Sequence, residues 1–126
     1  ARVLIDDSYN ANPESFSAAI QVLTAFTSKK ILLMGDMLEL DNKGEYYHKQ
    51  IGRQAMLAGV DKLFCFGSLS KFAAESFGAS AKFYECQDQL YSELLEMLAE
   101  NWVILVKGSR SMNMEKLVVR LKGLTK

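Results

Sequence analysis

Short apolar runs alternate with amphipathic helical patterns about five times along this chain of 126 residues. The run at residues 31–34 is continuously apolar, which is typical of a strand in a sheet covered on both faces. Between such runs, apolar residues recur at helical spacing, as Phe16, Ile20 and Leu23 do. The alternation predicts an α/β fold with three layers, in which helices cover both faces of a mostly parallel sheet.

Turn and capping residues set the limits of the predicted elements. Asn12 is expected to cap the first helix with Pro13 at its first position. Ser68 is expected to cap a short third helix that ends at Gly78. The fourth strand is short and is expected near an edge of the sheet. The predicted strands cover residues 3–7, 30–36, 62–66, 82–84 and 102–106, and the predicted helices cover residues 13–26, 44–58, 69–77, 87–100 and 114–121.

Composition narrows the class of protein. With 49% hydrophobic and 24% charged residues, residues 1–126 are expected to form one globular domain. Lys plus Arg equal Asp plus Glu at 15 each, so no bulk attraction to nucleic acid or to an anionic membrane is expected. No apolar stretch reaches membrane-spanning length and no signal-peptide pattern is present, so we expect a cytoplasmic protein without membrane insertion. The start at Ala1 suggests a piece of a longer protein.

The chain is poor in metal-binding and redox residues. Cys65 and Cys86 lie in or beside apolar runs and are expected to be reduced, half-buried thiols. One histidine and two distant cysteines do not have the spacing of a zinc site. His48 falls in a predicted helix, where a hydrogen-bonding structural role is expected rather than catalysis.

Polar side chains are concentrated in three loops that follow predicted strands, at residues 6–12, 35–41 and 107–111. The carboxyl ends of parallel strands open on one edge of a sheet, which is where such folds bind ligands. We therefore expect the three loops to form one shared site.

The first loop suggests a nucleoside. Asp7 has two carboxylate oxygens, enough to accept both hydroxyl hydrogens of a ribose, and Asn10 and Asn12 suit a base edge. Ordinary turn chemistry is the alternative, since Asp, Ser and Asn form local bonds to the backbone in any loop.

The second and third loops suggest a ligand with charged ends. Asp36 and Glu39 suit an amine or a metal-bound water, or else they are solvated loop acids. Arg110 lies in a turn expected to precede a helix directly, where backbone N–H groups and a guanidinium fork favour a carboxylate. The alternative is a surface arginine beside a capping serine. No phosphate-loop motif is present, so no catalytic residue and no metal ligand are predicted in this chain.

These loops resemble the carboxy-terminal domain of the Mur ligase family, in the branch that adds D-alanyl-D-alanine. The matching residues are DDSYNANP at 6–13, GDMLEL at 35–40 with His48 and Gly52, and KGSR at 107–110 with Met112. The resemblance covers essentially the whole chain in order. Asp41 departs from the family pattern, which commonly has a glycine at this position. The sequence therefore does not predict the conformation of the loop around Asp41.

The resemblance implies a three-domain bacterial enzyme of peptidoglycan and cell-wall synthesis, of which this chain is the third, Rossmann-like domain. The first domain binds the UDP-N-acetylmuramoyl-tripeptide, and the central domain carries the ATP phosphate loop and the magnesium ligands. ATP phosphorylates the tripeptide carboxylate, and the amine of D-alanyl-D-alanine attacks the acyl phosphate. The isolated chain is therefore expected to fold but not to turn over ATP.

The resemblance also implies roles for individual residues. Asp7 would hold the ribose of ATP, with four neighbours around the nucleotide, and the other two loops would hold the dipeptide. The alternative is a stand-alone flavodoxin-like binding domain without catalysis. The implied nucleotide-binding residues are Asp7, Ser8, Tyr9, Asn10 and Asn12, and the implied substrate-binding residues are Gly35, Asp36, Met37, Glu39, Lys107, Ser109 and Arg110.

Overall fold

Five strands alternate with five α-helices within residues 2–124, the part of the chain that the computed structural model describes. Short 3-10 turns at Asp41–Lys43 and Arg110–Met112 interrupt two of the loops. The elements in chain order are β1 Arg2–Asp7, α1 Pro13–Leu23, β2 Lys29–Gly35, α2 Gly44–Leu57, β3 Lys62–Phe66, α3 Ser70–Phe77, β4 Ala81–Tyr84, α4 Gln87–Met97, β5 Trp102–Lys107 and α5 Glu115–Lys122.

All strand pairings are parallel, and the strand order is β1-β5-β2-β3-β4. The predicted fold class is confirmed, and β4 lies at an edge as expected. The sequence pattern did not provide the order, in which β5 enters between β1 and β2. All six residues of β5 are buried, since it has a strand on each side and helices above and below.

Two apolar cores fill the space between the sheet and its helices. One core packs α1, α2 and α3 against one face, where Met34 and Leu105 point. The other packs α4 and α5 against the opposite face, where Leu33 and Val106 point. Adjacent residues of one strand thus serve opposite cores, as the two-residue period of a strand requires.

The connections after β1, β5 and β2 diverge at the carboxyl edge of the sheet. The chain leaves β1 and β2 toward α1 and α2 on one face, and it leaves β5 toward α5 on the other. Neighbouring strands with connections to opposite faces leave a crevice between the loops, which is the position where open α/β sheets bind ligands.

Two helix limits differ from the predictions by more than one residue, and one predicted cap is absent. Asn12 caps α1 with Pro13 in the first turn, as predicted, but α1 ends at Leu23 rather than residue 26. α4 ends at Met97 rather than residue 100, because Leu98 is extended and packs on the second core. Ser68 is exposed and does not cap α3, so that prediction is wrong.

Candidate functional site

Hydrogen bonds join the loop after β2 to the loop after β5. The Ser109 amide donates to the Asp36 carbonyl at 2.9 Å, and the Leu38 amide donates to Ser109 Oγ at 2.8 Å. The three predicted loops do lie together at the carboxyl edge of the sheet, since β1 and β2 flank β5. Ser109 is buried and holds two of the loops in register.

Ser8, Asn10 and Asn12 of the first loop form local turn bonds, and the Asn10 side-chain oxygen accepts from the next backbone amide at 2.8 Å. The backbone N–H and hydroxyl of Ser8 both donate to Asp6 Oδ1. The Asn12 side chain accepts from the Ser15 amide at 2.8 Å, while Ser15 Oγ accepts from the Asn12 amide. This reciprocal pair is a capping box. The turn-chemistry alternative thus describes Ser8 and Asn12 well, and their contact with a nucleotide stays a prediction.

Asp7 and Lys107 form an ion pair across the β1–β5 ladder. They are register partners, and Lys107 Nζ donates to Asp7 Oδ2 at 2.9 Å. The Lys107 ammonium also donates to the Asn10 carbonyl at 3.0 Å and lies 5.5 Å from the Phe16 ring centroid. Lys107 is buried, so the predicted dipeptide contact of its side chain stays a prediction that this burial disfavours.

Arg110 presents its guanidinium to solvent. Cζ lies 5.0 Å from the centroid of the Tyr9 ring, which is itself exposed, and this distance fits a cation–π contact. Within residues 2–124 the guanidinium makes no hydrogen bond and no ion pair. Its planar fork of N–H donors is therefore available for a carboxylate.

Asp36 caps α3 from the neighbouring loop. Its carboxylate accepts from the amides of Leu69 and Ser70, at 3.2 and 2.7 Å, and from the Ser70 hydroxyl at 2.7 Å. A carboxylate suits this place because the first amides of a helix lack partners within the helix. Asp36 is buried, and its direct contact with a ligand stays a prediction.

His48 fixes the start of the second loop. Its Nε2 accepts from the Met37 amide at 2.9 Å, and its Nδ1 lies 2.7 Å from the Gly44 carbonyl, so the neutral ring carries its hydrogen on Nδ1. Burial lowers the pKa of His48, against the Gly44 hydrogen bond and the Asp36 charge, which raise it. The structural role expected for His48 is confirmed.

In the loop that follows Met37, the residues Glu39 and Asp41 have a left-handed backbone conformation. Glu39 has a φ of 62° and Asp41 a φ of 54°. Glycine adopts this conformation without a steric cost, and Asp tolerates it better than most residues. The turn at Asp41 therefore has the shape that a glycine would favour, and the departure from the family pattern leaves that shape in place.

Gly35 and Gly108 allow β2 and β5 to approach closely at their carboxyl ends. A Cβ on Gly108 would lie 2.9 Å from Gly35 Cα, and a Cβ on Gly35 would lie 2.9 Å from Met114 Cγ. Both positions exclude a larger side chain. This packing accounts for Gly35 without a ligand, and its substrate contact stays a prediction.

The turn that carries Arg110 does not lead directly into an α-helix. Its 3-10 turn ends at the left-handed Asn113, and α5 begins only at Glu115. The turn at residues 108–111 was expected to offer the backbone N–H groups of an α-helix start, and this is wrong because α5 begins only after two further loop residues beyond the 3-10 turn. Asn113 favours the left-handed conformation that separates the two elements. At this turn the Arg110 guanidinium is thus the group that suits a carboxylate, and its contact with a substrate stays a prediction.

Two clefts meet at Arg110. The first has a volume of about 590 Å³, and the second has a volume of about 440 Å³. No sequence signal marks Asn113 and Glu115 in the first cleft or Leu38 and Leu40 in the second, because their loops gain a common wall only through the strand order. The first is lined by Asp6, Asp7, Ser8, Tyr9, Arg110, Asn113 and Glu115, and the second by residues 10–12, 38–40 and 109–111.

The remaining candidate chemistry is sparse. Both cysteines are free thiols, but neither is half-buried as expected. Cys65 is fully buried in β3, and Cys86 is exposed because it lies in the loop before α4. In the part of the chain described, no group of three His, Cys, Asp or Glu side chains is arranged to hold a metal ion. No helix there is both long enough and apolar enough to span a bilayer.

The fold and the site define a parallel α/β domain with paired clefts at the switch point of its sheet. A family model described as the Mur ligase, glutamate ligase domain, matches residues 1–110. The chain belongs to this family.

Relatives and solved structures agree with this assignment. The UDP-N-acetylmuramoyl-tripeptide–D-alanyl-D-alanine ligase of Escherichia coli is 40% identical over 123 residues, covering 96% of this chain and 27% of that protein. A crystal structure of MurF from Acinetobacter baumannii has a TM-score of 0.87 and 31% identity, covering 94% of this chain and 27% of the other.

MurF from Thermotoga maritima, solved in complex with ADP, has a TM-score of 0.82 at 24% identity, with the same coverage of 94% and 27%, and it supports the fold. This chain therefore spans about a quarter of the length of the relatives it matches.

Proposed function

We propose that this chain is the carboxy-terminal domain of an ATP-dependent ligase that joins D-alanyl-D-alanine to UDP-N-acetylmuramoyl-tripeptide in the cytoplasm during bacterial cell-wall synthesis. Family membership and the names of the relatives support this proposal. The observation that carries it is that Arg110 lies on both clefts. One turn thus borders the cleft that we assign to the nucleotide and the cleft that we assign to the dipeptide.

The first cleft suits the ribose of ATP. Asp7 lies on its wall with Oδ2 engaged by Lys107, while Oδ1 has no hydrogen-bond partner among residues 2–124. A free carboxylate oxygen accepts a ribose hydroxyl in a charge-assisted hydrogen bond. The exposed Tyr9 ring offers a flat apolar surface beside it.

The second cleft suits the dipeptide. The amine of D-alanyl-D-alanine must remain free to react, so the protein holds the far end, the carboxylate, through the Arg110 guanidinium. Glu39 lies on the same cleft and supplies the opposite charge for the amine end. Opposite charges on one cleft orient a zwitterion in a single direction.

The chemical step takes place with the missing domains. ATP transfers its γ-phosphoryl group to the tripeptide carboxylate, and the dipeptide amine displaces phosphate from the acyl phosphate. We place the magnesium ion in the central domain, as the family resemblance implies. The role of this domain is to position ATP and the amine, which lowers the entropic part of the barrier.

Arg110 variants of the full-length enzyme test the proposal. With dipeptide varied at saturating ATP, Arg110→Ala should raise the dipeptide KM about tenfold or more, because a charge-assisted hydrogen bond is lost. Arg110→Lys should raise it less, since an ammonium keeps the charge without the fork. The ATP KM should remain within about twofold.

Arg53→Ala is the matched control, since Arg53 is an exposed arginine on α2. It should leave both KM values unchanged. If both Arg110 variants keep the wild-type dipeptide KM, the carboxylate site is not at Arg110 and would move to the loop at residues 36–39.

A further inference from the structure

Lys107 is a charged side chain inside the first apolar core. The strand alternation places it on the same face of β5 as Val103 and Leu105, toward α1. Its alkyl stem covers apolar surface, and its ammonium emerges beneath the loop after β1, where the Asn10 carbonyl and Asp7 Oδ2 accept its hydrogens. Only 2% of this side chain is exposed.

The two side chains of the Lys107–Asp7 ion pair differ in their exposure to solvent. The Asp7 side chain is 45% exposed, so water and a ligand reach it from the cleft, whereas the ammonium is enclosed. Lys107 fixes one carboxylate oxygen of Asp7 and leaves the other toward the cleft. The second hydrogen bond of the ammonium, to the Asn10 carbonyl, ties the loop after β1 to β5 and so helps to keep the Asp7 carboxylate in this orientation.

We propose that Lys107 is a positioning residue for the nucleotide, which acts through Asp7 and does not contact the dipeptide. This inference rests on the proposed function, because it takes Asp7 as the ribose acceptor. It assigns to Lys107 a task different from the dipeptide contact that the sequence resemblance implies. The buried cation sets which oxygen of Asp7 faces the ribose, and it fixes the loop that carries that carboxylate.

The test uses the full-length enzyme with ATP and D-alanyl-D-alanine varied separately. Lys107→Met keeps the stem and removes the charge, and the half-exposed Asp7 can then turn toward water. We expect the KM for ATP to rise about tenfold, with kcat and the dipeptide KM within about twofold of wild type. Lys107→Arg keeps a donor and should recover part of the loss.

A double-mutant cycle with Asp7→Ala, which leaves Lys107 no acceptor at position 7, separates positioning from general damage. If Lys107 acts through Asp7, then Lys107→Met should raise the KM for ATP by less than about twofold in the Asp7→Ala background. Leu94→Ala, which removes buried side-chain atoms from α4 on the opposite face of the sheet, is the control for lost stability. It should lower the melting temperature without raising the KM for ATP.

The outcomes distinguish this inference from the proposed function. If wild-type enzyme shows no dipeptide-dependent ADP release, the proposed function fails. If wild type is active but Lys107→Met raises the dipeptide KM and leaves the KM for ATP unchanged, the positioning role is wrong and the dipeptide contact is right. Equal, additive effects of Lys107→Met in both Asp7 backgrounds would also overturn it.

Discussion

Two lysine–carboxylate pairs in this domain have nearly the same length and opposite surroundings. Lys107 Nζ lies 2.9 Å from Asp7 Oδ2, and Lys82 Nζ lies 3.0 Å from Glu93 Oε1. The first pair joins two strands below α1, and only 2% of its lysine side chain is exposed. The second joins the edge strand β4 to α4, and 69% of its lysine side chain is exposed.

The difference in burial decides what each pair does. Water replaces the partner of an exposed lysine at little cost, so such a pair contributes little to stability. A buried ammonium has no such replacement, and removal of its partner leaves an uncompensated charge in the protein interior. The carboxyl edge of the sheet therefore depends on its polar partners, whereas the β4 edge does not.

Removal of the Asp7 carboxylate should have the largest effect. Asp7→Ala leaves the Lys107 ammonium with the Asn10 carbonyl as its remaining partner, so we expect a loss of about 2–3 kcal/mol in the free energy of unfolding. This lies below the value for a fully buried pair because water reaches the Asp7 side. Urea unfolding of the chain at neutral pH measures the loss.

Asp7→Asn is the matched control, because its amide oxygen still accepts from Lys107. It should cost clearly less than Asp7→Ala. Equal losses for the two variants would show that the ammonium does not need an acceptor at this position. The comparison also means that the KM of Asp7→Ala alone does not measure ribose binding, since part of its effect comes through the fold.

The fold follows from local patterns, and its details do not. The period of apolar residues gave the parallel α/β class, and Asn12 with Pro13 gave the start of α1. The cap of α3 was missed because Asp36, which supplies it, lies 34 residues away from Ser70 and reaches it only after β2 and β3 pair. A capping residue distant in sequence leaves no local signal.

The position of the site also follows from local patterns in the sequence, whereas the burial and the pairing of its side chains do not. Parallel strands bring their following loops to one edge, so the three polar loops were expected to open on the same edge of the sheet. The burial of Lys107 depends on the entry of β5 between β1 and β2 and on α1 above it. The composition of the loops predicts neither the strand order nor the ion pair with Asp7.

The titration of His48 provides a second test of the polar contacts at the carboxyl edge of the sheet. Its pKa is lowered, mainly by burial, so on acidification the unfolded chain binds a proton before the folded chain does. Stability is therefore complete above the unfolded pKa, near 6.5, and falls as the pH drops toward the lower pKa of the folded state. We expect a decline of at most about 1.4 kcal/mol per pH unit, the limit for one proton.

Urea unfolding between pH 7.5 and 5.5, roughly the range in which histidine titrates, isolates this effect. His48 is the single histidine of the sequence, so His48→Gln removes all imidazole titration. This variant should have a lower free energy of unfolding at pH 7.5, and that free energy should change less with pH than in the wild type. A wild-type curve that is flat across this range would contradict the enclosed, neutral histidine that holds the Met37 amide.

The smallest effect should come from the exposed pair. Lys82 hydrogen bonds to Glu93 and thereby lowers the pKa of that carboxyl, with a second contribution from the Tyr84 hydroxyl. The lowered pKa stabilises the fold above the usual pKa of a glutamate, and that contribution is lost as the pH falls through the folded value. Lys82→Met leaves Glu93 with Tyr84, Gln89 and solvent, so the melting temperature at neutral pH should fall by less than about 2 °C. Added salt should reduce even this difference, because exposed charges are screened. A loss as large as that of Asp7→Ala, unchanged in salt, would show that burial does not distinguish the two pairs.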